Sequence, residues 1–558
     1  MTGQVATLNR IKLVKLAAVL ASHAEALYFT SPMKLYKSFA TVGGLTMLSR
    51  VFGFIRDVLI AATLGSGWVA DAFVVAFRFP NLFRRLFGEG AFNSAFVPIF
   101  AKKIEGEGQE AARTFAEDAM SGLVFILLIL TIVAELAMPF LMYALAPGFD
   151  ATPEKFDLAV LLTRITMPYL LCMSLVALMS GALNSVGRFA ESSSVSILLN
   201  LAMMVATLVS LWLGYTAGRE AGIIQAWGVF VAGFLQLLLL QWGMKRAGLT
   251  LKLRWPRWTD DLRRLWKLGI PGIVSGGVTQ LNIAIGTIIA SMQAGAVSHL
   301  YYADRIYELP LAIVGIAVGV VLLPDVSRHL RAGNMPAVMD SQNRSLEFAM
   351  MLTIPAAIAI AVMPEAIVRV LFERGAFTPA DTASTSAVLA IFALGLPAFV
   401  MIKVFSPAYF AREDTATPMR YASISLAANT LGSIALFFLF RSWGWMPQLG
   451  IAIATSIGGW LNAGLLWSTL KSRGAFQADD RLRRNLPMIG LASIAMAAVL
   501  YVAQGWLAPY MQASQGFLVE ALALATLVSI GLLTFAIFIL ATGVMTSAQL
   551  KRFGRRSG

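Results

Sequence analysis

The stretch "MLSRVFGFIRDVLIAATLG", Met47 to Gly65, has the length and apolarity of a bilayer-crossing helix, yet it contains Arg50, Arg56 and Asp57. A charge at mid-bilayer depth costs at least ~2.5–3.5 kcal/mol on insertion scales, so an ionisable side chain in such a segment faces a watery or protein-lined interior. The segment therefore sets two expectations together: a bundle of membrane-spanning helices, and a polar route through it.

The rest of the chain agrees with the first expectation. Of 558 residues 58% are hydrophobic and only 13% charged, with mean hydropathy +0.73, against about 25% charged in soluble proteins. The apolar runs are continuous rather than alternating at strand length, which favours helices over a β-barrel. Fourteen spans can be read, near 36–64, 68–99, 116–146, 158–186, 190–214, 221–243, 266–292, 297–327, 346–372, 383–411, 417–440, 448–470, 486–508 and 517–544. The fold class is an all-α polytopic membrane protein, and the loops left over are too short for a soluble catalytic domain.

The net charge of +14 would suit a nucleic-acid binder if it were clustered on a soluble face. Instead the basic residues fall on alternate loops: Lys102, Lys103 and Arg113; Arg188; Lys245 to Arg264; Arg328 and Arg331; Arg412 and Arg420; Lys471 to Arg484; and the tail from Lys551. The loops between them hold few, chiefly Lys155, Arg219, Arg369, Arg374 and Arg441. By the positive-inside rule both termini are cytoplasmic, and the basicity records topology rather than a nucleic-acid partner.

Cys172 is the only cysteine and lies in an apolar span, so no disulfide forms within the chain. His23, His299 and His329 lack ligand spacing, so no metal site is expected, and His299 reads as a plain loop residue. Residues 1–32 faintly imitate a signal peptide but have a short apolar core; Met33 opens a more convincing start, and 1–32 reads as a dispensable extension.

Short stretches of the first half recur in the second. "VADAF" at 69–73 and "YADRI" at 302–306 open corresponding spans, which end in "FVPIFAKK" and "LLPDVSRH". The organisation expected is two pseudo-symmetric six-helix lobes, 33–245 and 246–475, followed by a C-terminal helix pair within 476–558. Paired bundles of this kind place a site between them and expose it alternately by rocking.

The second span, "DAFVVAFRFPNLFRRLFGEGAFNSAFVPIF", carries Asp71, Arg78, Arg84, Arg85 and Glu89, with Pro80 in its middle. Proline removes a backbone hydrogen bond and bends a helix, which membranes tolerate where the freed carbonyls face protein or a cavity. At about 100° per residue, Arg50 and Asp57 share a face, as do Arg78 and Arg85. The eighth span adds "YYADRIYELP", with Asp304, Arg305 and Glu308. Guanidinium groups thus come from both halves, as a central anion site requires, and their forks match phosphate oxygens. The alternative is that Asp57, Asp71, Asp304 and Glu89 neutralise the arginines in structural pairs while Arg84 or Arg85 snorkels to the surface. There is no P-loop or other nucleotide motif and no nucleophile constellation in an outer loop, which points to a transporter rather than an enzyme.

"SRVFGFIRD", "ADAFVVAFRFPNLFRRLFGEGAFNSAFVPIF", "APGF", "YYADRIYELP" and "GVVLLPDVSRH" resemble the MurJ (MviN) family, the lipid II flippases of bacterial peptidoglycan synthesis, within the superfamily of multidrug and oligosaccharidyl-lipid exporters. The resemblance runs from Met33 nearly to the C-terminus. It implies an inner-membrane transporter with a cationic cavity between two lobes and a groove on the last two helices for the polyprenyl tail. Carried over by motif, the cavity residues are Ser49, Arg50, Arg56, Asp71, Asn81, Arg84, Arg85, Glu89, Asp304 and Arg305, with Arg50, Arg56 and Arg305 on the pyrophosphate of lipid II. The partners implied are lipid II, membrane lipids and other cell-wall synthesis and division proteins. No cofactor is implied; coupling to membrane potential or a monovalent cation is, and Thr279, Asn282, Asn429 and Thr430 are too ordinary to assign the ion. The competing readings are an ion-coupled exporter of drugs or another polyprenyl-linked oligosaccharide, and a membrane glycosyltransferase or phosphatase acting on the same lipid.

Overall fold

The computed structural model describes residues 32–84, 91–512 and 515–545, and all regular structure among them is helical. Among the described residues ten helical spans are long and apolar enough to cross a membrane, the first being Gln109–Leu136 and the last Phe517–Ala541, with Pro153–Ser185 and Asp480–Met511 each taken as one span. Apolar side chains such as Leu136, Phe140, Leu431, Leu522 and Leu532 stand exposed on the outside of the bundle. In water that surface would be a penalty; against acyl chains it is not.

Several helices begin well before the apolar run that reveals them. Gln109, Asp260, Met335 and Asp480 start helices expected from 116, 266, 346 and 486. Their polar first turns continue the helix past the hydrocarbon, where side-chain caps satisfy the free amides. Thr259 Oγ1 accepts from Leu262 N at 3.3 Å, Asn334 Oδ1 from Ala337 N at 3.1 Å, and Asp479 Oδ1 from Leu482 N at 2.7 Å. Other expected spans are divided. The run 116–146 is Gln109–Leu136 followed by Met138–Leu145, 158–186 is Pro153–Thr166 and Tyr169–Ser185, and 346–372 is Met335–Val362 and Pro364–Phe372. Pro139, Pro168 and Pro364 stand at those breaks, where the missing N–H interrupts the ladder. Within the expected span 68–99 the described helices are Trp68–Arg84 and Ala91–Glu107, and residues 85–90 lie outside the described residues.

Helices up to residue 246 pack chiefly on one another: Pro32–Leu64 lies against Phe189–Trp212, which lies against Arg219–Arg246. In the second half Ala296–Arg331, Met335–Val362 and Gln448–Ser472 surround Pro379–Phe410. Asp480–Leu507 joins Phe517–Ala541 to that half through Met335–Val362. The halves are connected by an extended segment, 249–259, held to the first half by a buried carboxylate. Lys252 N donates to Glu117 Oε1 at 3.0 Å, Arg254 N donates to Ser121 Oγ at 3.0 Å, and the Arg254 guanidinium pairs with Glu117 at 2.5 Å.

Candidate functional site: a cationic cavity between the halves

A cavity of about 310 Å³ lies where Pro32–Leu64 and Trp68–Arg84 of the first half face Asp260–Ala290 and Ala296–Arg331 of the second. Arg56, Arg78 and Arg305 line it, with Asp304, Glu308 and Tyr301.

Each guanidinium is held differently. Arg56 is buried, and its Nε and Nη2 donate to Asp57 Oδ1 at 3.1 and 2.7 Å. Its Nη1 donates to Asn200 Oδ1 at 2.9 Å, and Asn200 Nδ2 donates to the Ser49 carbonyl at 2.8 Å. Gly53 makes room for this: a Cβ there would stand 3.3 Å from Asn200 Nδ2. Arg305 pairs with Glu308 at 3.1 Å and with Asp304 at 3.7 Å. Arg78 Nη1 donates to Thr287 Oγ1 at 2.6 Å. Tyr301 joins these groups. Its Oη donates to Asp57 Oδ1 at 3.0 Å, and its ring lies 5.0 Å from the Arg305 guanidinium carbon and 5.7 Å from that of Arg78, within the range of cation–π attraction.

The residues expected in the site divide accordingly. Arg56, Asn81, Asp304 and Arg305 line the cavity. Ser49 is half-buried and takes part through its carbonyl. Arg50 is exposed and is not among the lining residues; it shares the Asp57 face but lies two turns, about 10 Å, further along the axis. Arg84 ends the helix Trp68–Arg84, whereas Arg85 and Glu89 lie outside the described residues. Asp71 is a correction. It is buried not in the cavity but where the halves meet, accepting from Lys155 Nζ at 2.7 Å, Gly295 N at 2.9 Å, Ser298 N at 2.9 Å and Ser298 Oγ at 2.8 Å. The carboxylate thereby caps the N-terminus of Ala296–Arg331, where amides and helix dipole favour an anion.

Further contacts seal the same end of the molecule. Tyr302 Oη donates to the Gly65 carbonyl at 2.9 Å and Ala376 N to the Ala62 carbonyl at 2.8 Å. Gly148 N donates to Ser291 Oγ at 3.1 Å. Gly65 and Gly375 have φ of 66° and 60°, and a Cβ on either would lie 2.5 Å from the Ala376 carbonyl oxygen or 2.2 Å from that of Ala62. His299, expected in a loop, is buried in the first turn of Ala296–Arg331, with Nε2 2.9 Å from Ser66 Oγ. Ser66 in turn donates to Asp381, so its proton points at the carboxylate and the trio is a set of ties between halves rather than an activated nucleophile. At the opposite end, outside the linker, Lys103–Asp261 at 2.9 Å is the one ion pair across the halves among the described residues.

Thr287, Asn200 and Tyr301 are the site residues that sequence reasoning missed; their only signal is a polar atom inside an apolar run. Asn429 and Asn282, noted as ion candidates, bond one another at 2.6 Å, and Ser433 and Thr455 both donate to Asn429 Oδ1. Among the described residues no group of three or more His, Cys, Asp or Glu is placed to hold a metal ion.

The family model described as lipid II flippase MurJ matches residues 60–524. A probable lipid II flippase MurJ from Rhizobium meliloti (strain 1021) is 47% identical over 528 residues, 94% of this chain and 97% of that protein. The lipid II flippase MurJ of Burkholderia cenocepacia is 33% identical over 481 residues, 84% of this chain and 90% of that one. Among solved structures, a lipid II flippase MurJ in an inward closed conformation superposes with TM-score 0.73 at 27% identity, covering 90% of this chain and 98% of that one. An inward-facing transporter of the multidrug-resistance MATE family, of the MOP superfamily, superposes with TM-score 0.62 at 14% identity over 78% of this chain and 98% of its own, a likeness of fold alone.

Proposed function

The chain belongs to the MurJ family of lipid II flippases, and from that premise we propose that it carries lipid II from the cytoplasmic to the periplasmic leaflet of a bacterial inner membrane. It is a multi-pass membrane transporter. The obstacle it removes is electrostatic: a pyrophosphate joined to a sugar-peptide head cannot enter hydrocarbon without leaving its hydration behind. The observation that carries the reading is a cavity shared by two halves whose wall presents Arg56 and Arg78 from one and Arg305 from the other. Such forks bind phosphate bidentately and keep their charge when desolvated. A wall of arginines also counts against a cationic drug as cargo.

The orientation follows from charge. The basic loops lie at the end opposite Gly65, Gly295 and Gly375, so by the positive-inside rule the sealed end is periplasmic and both termini are cytoplasmic. In this arrangement the cavity is closed to the outside, and release requires the ties of the sealed end to part as the halves rock. The lipid tail stays in the bilayer, along the pair Asp480–Leu507 and Phe517–Ala541. Membrane potential or a monovalent cation supplies the drive, at a site the residues do not single out.

The test is to deplete the protein in its host and measure how much lipid II an added lipid II-cleaving enzyme reaches on each side of the inner membrane. Outer accessibility is expected to fall while lipid II accumulates inside. An unchanged distribution overturns the reading, and a modified lipid in place of a redistributed one would indicate an enzyme.

A further inference from the structure

The three cavity guanidiniums differ in what already occupies them. Arg56 spends Nε and both Nη atoms on Asp57 and Asn200. Arg305 has two carboxylates, Glu308 and Asp304. Arg78 has none within ion-pair distance among the described residues; there its Nη1 donates to the neutral hydroxyl of Thr287. It is partly buried beside a second cation, with the Tyr301 ring between as shared π partner. Asp304 and Glu308 act on Arg78 only from beyond ion-pair distance, and a cation in a low-dielectric wall with no carboxylate in direct contact is under-compensated, the more so with a like charge nearby. The wall is thus electrostatically incomplete at Arg78, on the side that faces the cavity.

We infer that Arg78 is the residue that receives the pyrophosphate, and that Thr287 is its place-holder while the cavity is empty. The inference rests on the flippase reading and deepens it by assigning a binding residue outside the motif-derived set. Thr287 sits on Asp260–Ala290 and Arg78 on Trp68–Arg84, so the bond between them ties the two halves. A phosphate oxygen is a stronger acceptor than a hydroxyl for a guanidinium N–H. The incoming anion therefore takes Arg78 from Thr287, exchanging a neutral tie across the halves for a charged one to the cargo. Binding and the release of one lobe-to-lobe bond become the same event, whereas Arg56 has to give up a carboxylate to do likewise.

The test compares lipid II binding to full-length wild type, Arg78→Gln, Arg78→Lys and Thr287→Val in detergent, with inorganic pyrophosphate as competitor. Arg78→Gln is expected to weaken binding by roughly tenfold or more, the loss of a charge-assisted hydrogen bond, and to lose most of the competition by pyrophosphate. Arg78→Lys should recover part of the affinity through charge without the fork. Thr287→Val keeps the shape and deletes the competing acceptor, so it should bind lipid II tighter by a few-fold, an effect no merely structural role for Arg78 produces. If wild type binds lipid II while Arg78→Gln, folded, binds it equally, or Thr287→Val binds it no tighter, this inference is overturned and the flippase reading stands. If wild type itself binds no lipid II, both fall.

Discussion

Asp71 and Asp57 lie on consecutive helices of the first half, both buried, and both accept hydrogen bonds from the second half. Their partners are of different kinds. Asp71 is fixed by two backbone amides, a serine hydroxyl and the buried ammonium of Lys155. Asp57 is held by the side chains of Arg56 and Tyr301 at the edge of a cavity. Backbone donors at a helix start cannot turn toward a ligand, whereas guanidinium and phenol groups can. The sealed end is therefore built as a two-state contact that is made or absent, and the cavity as a set of exchangeable pairs. That division suits a transporter, in which the site has to trade partners with cargo while the seal only closes or opens.

The comparison is broken most severely at Asp71. Asp71→Ala leaves Lys155 buried without its counter-ion and the amides of Gly295 and Ser298 without an acceptor. Removing one partner of a buried pair typically costs about 3–5 kcal/mol, here drawn from the closed seal. We expect loss of growth when the variant is the only copy in a depleted host, and a lower melting temperature of the purified protein. Asp57→Ala should cost less stability, since Arg56 keeps Asn200 and faces the cavity. Equal losses of melting temperature would mean that the two carboxylates are not different in kind.

A smaller effect is expected at Gly375, where the seal is a close approach of backbones. Gly375→Ala adds a Cβ 2.2 Å from the Ala62 carbonyl oxygen and holds alanine at φ 60°, a conformation that costs roughly 1 kcal/mol. Gly444→Ala is the control, because it shares the positive φ of 72° with nothing within 4 Å of the added atom. Cysteines at positions 62 and 376 in a Cys172→Ser background report closure by disulfide crosslinking. Crosslinking should fall several-fold with Gly375→Ala and stay near the parent value with Gly444→Ala. Equal behaviour of the two glycines would show that strain, not contact, governs the seal.

The helices were legible because apolar runs of bilayer length have few other uses. Their ends were less so, since a cap such as Thr259 or Asp479 lies turns before the run begins. Arg56, Asp304 and Arg305 were legible as interior charges because hydrocarbon makes them costly. The same argument misplaced Asp71: cost says that a charge is sheltered, not whether the shelter is a cavity or a sealed contact. Arg481 shows the converse. It reads as one of several topological charges in a basic loop, yet it pairs at 3.2 Å with Glu347, a buried carboxylate that also accepts from Asn485 at 2.6 Å. A partner 134 residues away leaves no local trace. Thr287 and Asn200 carry no charge, so no cost marked them.

A surface pair calibrates both regions. Asp414, in the loop after Pro379–Phe410, accepts from Arg473 Nη1 at 2.7 Å, Thr417 N at 2.9 Å and Thr417 Oγ1 at 2.7 Å, and those bonds, Arg473's first, hold its carboxyl down to about 2. An unfolded aspartate titrates near about 3.9. Because the folded value is the lower one, the contribution is fully present above about pH 4 and is lost as pH falls toward 2. The pair is solvent-exposed and screened, so Asp414→Asn should lower the melting temperature by only about 1 °C at pH 7, far less than Asp71→Ala. The gap between wild type and Asp414→Asn should close between about pH 4 and pH 2, and it should shrink in high salt. A difference as large as that of Asp71→Ala, or one that persists at pH 2, would mean that the Asp414 loop acts on the lobes rather than on its own turn.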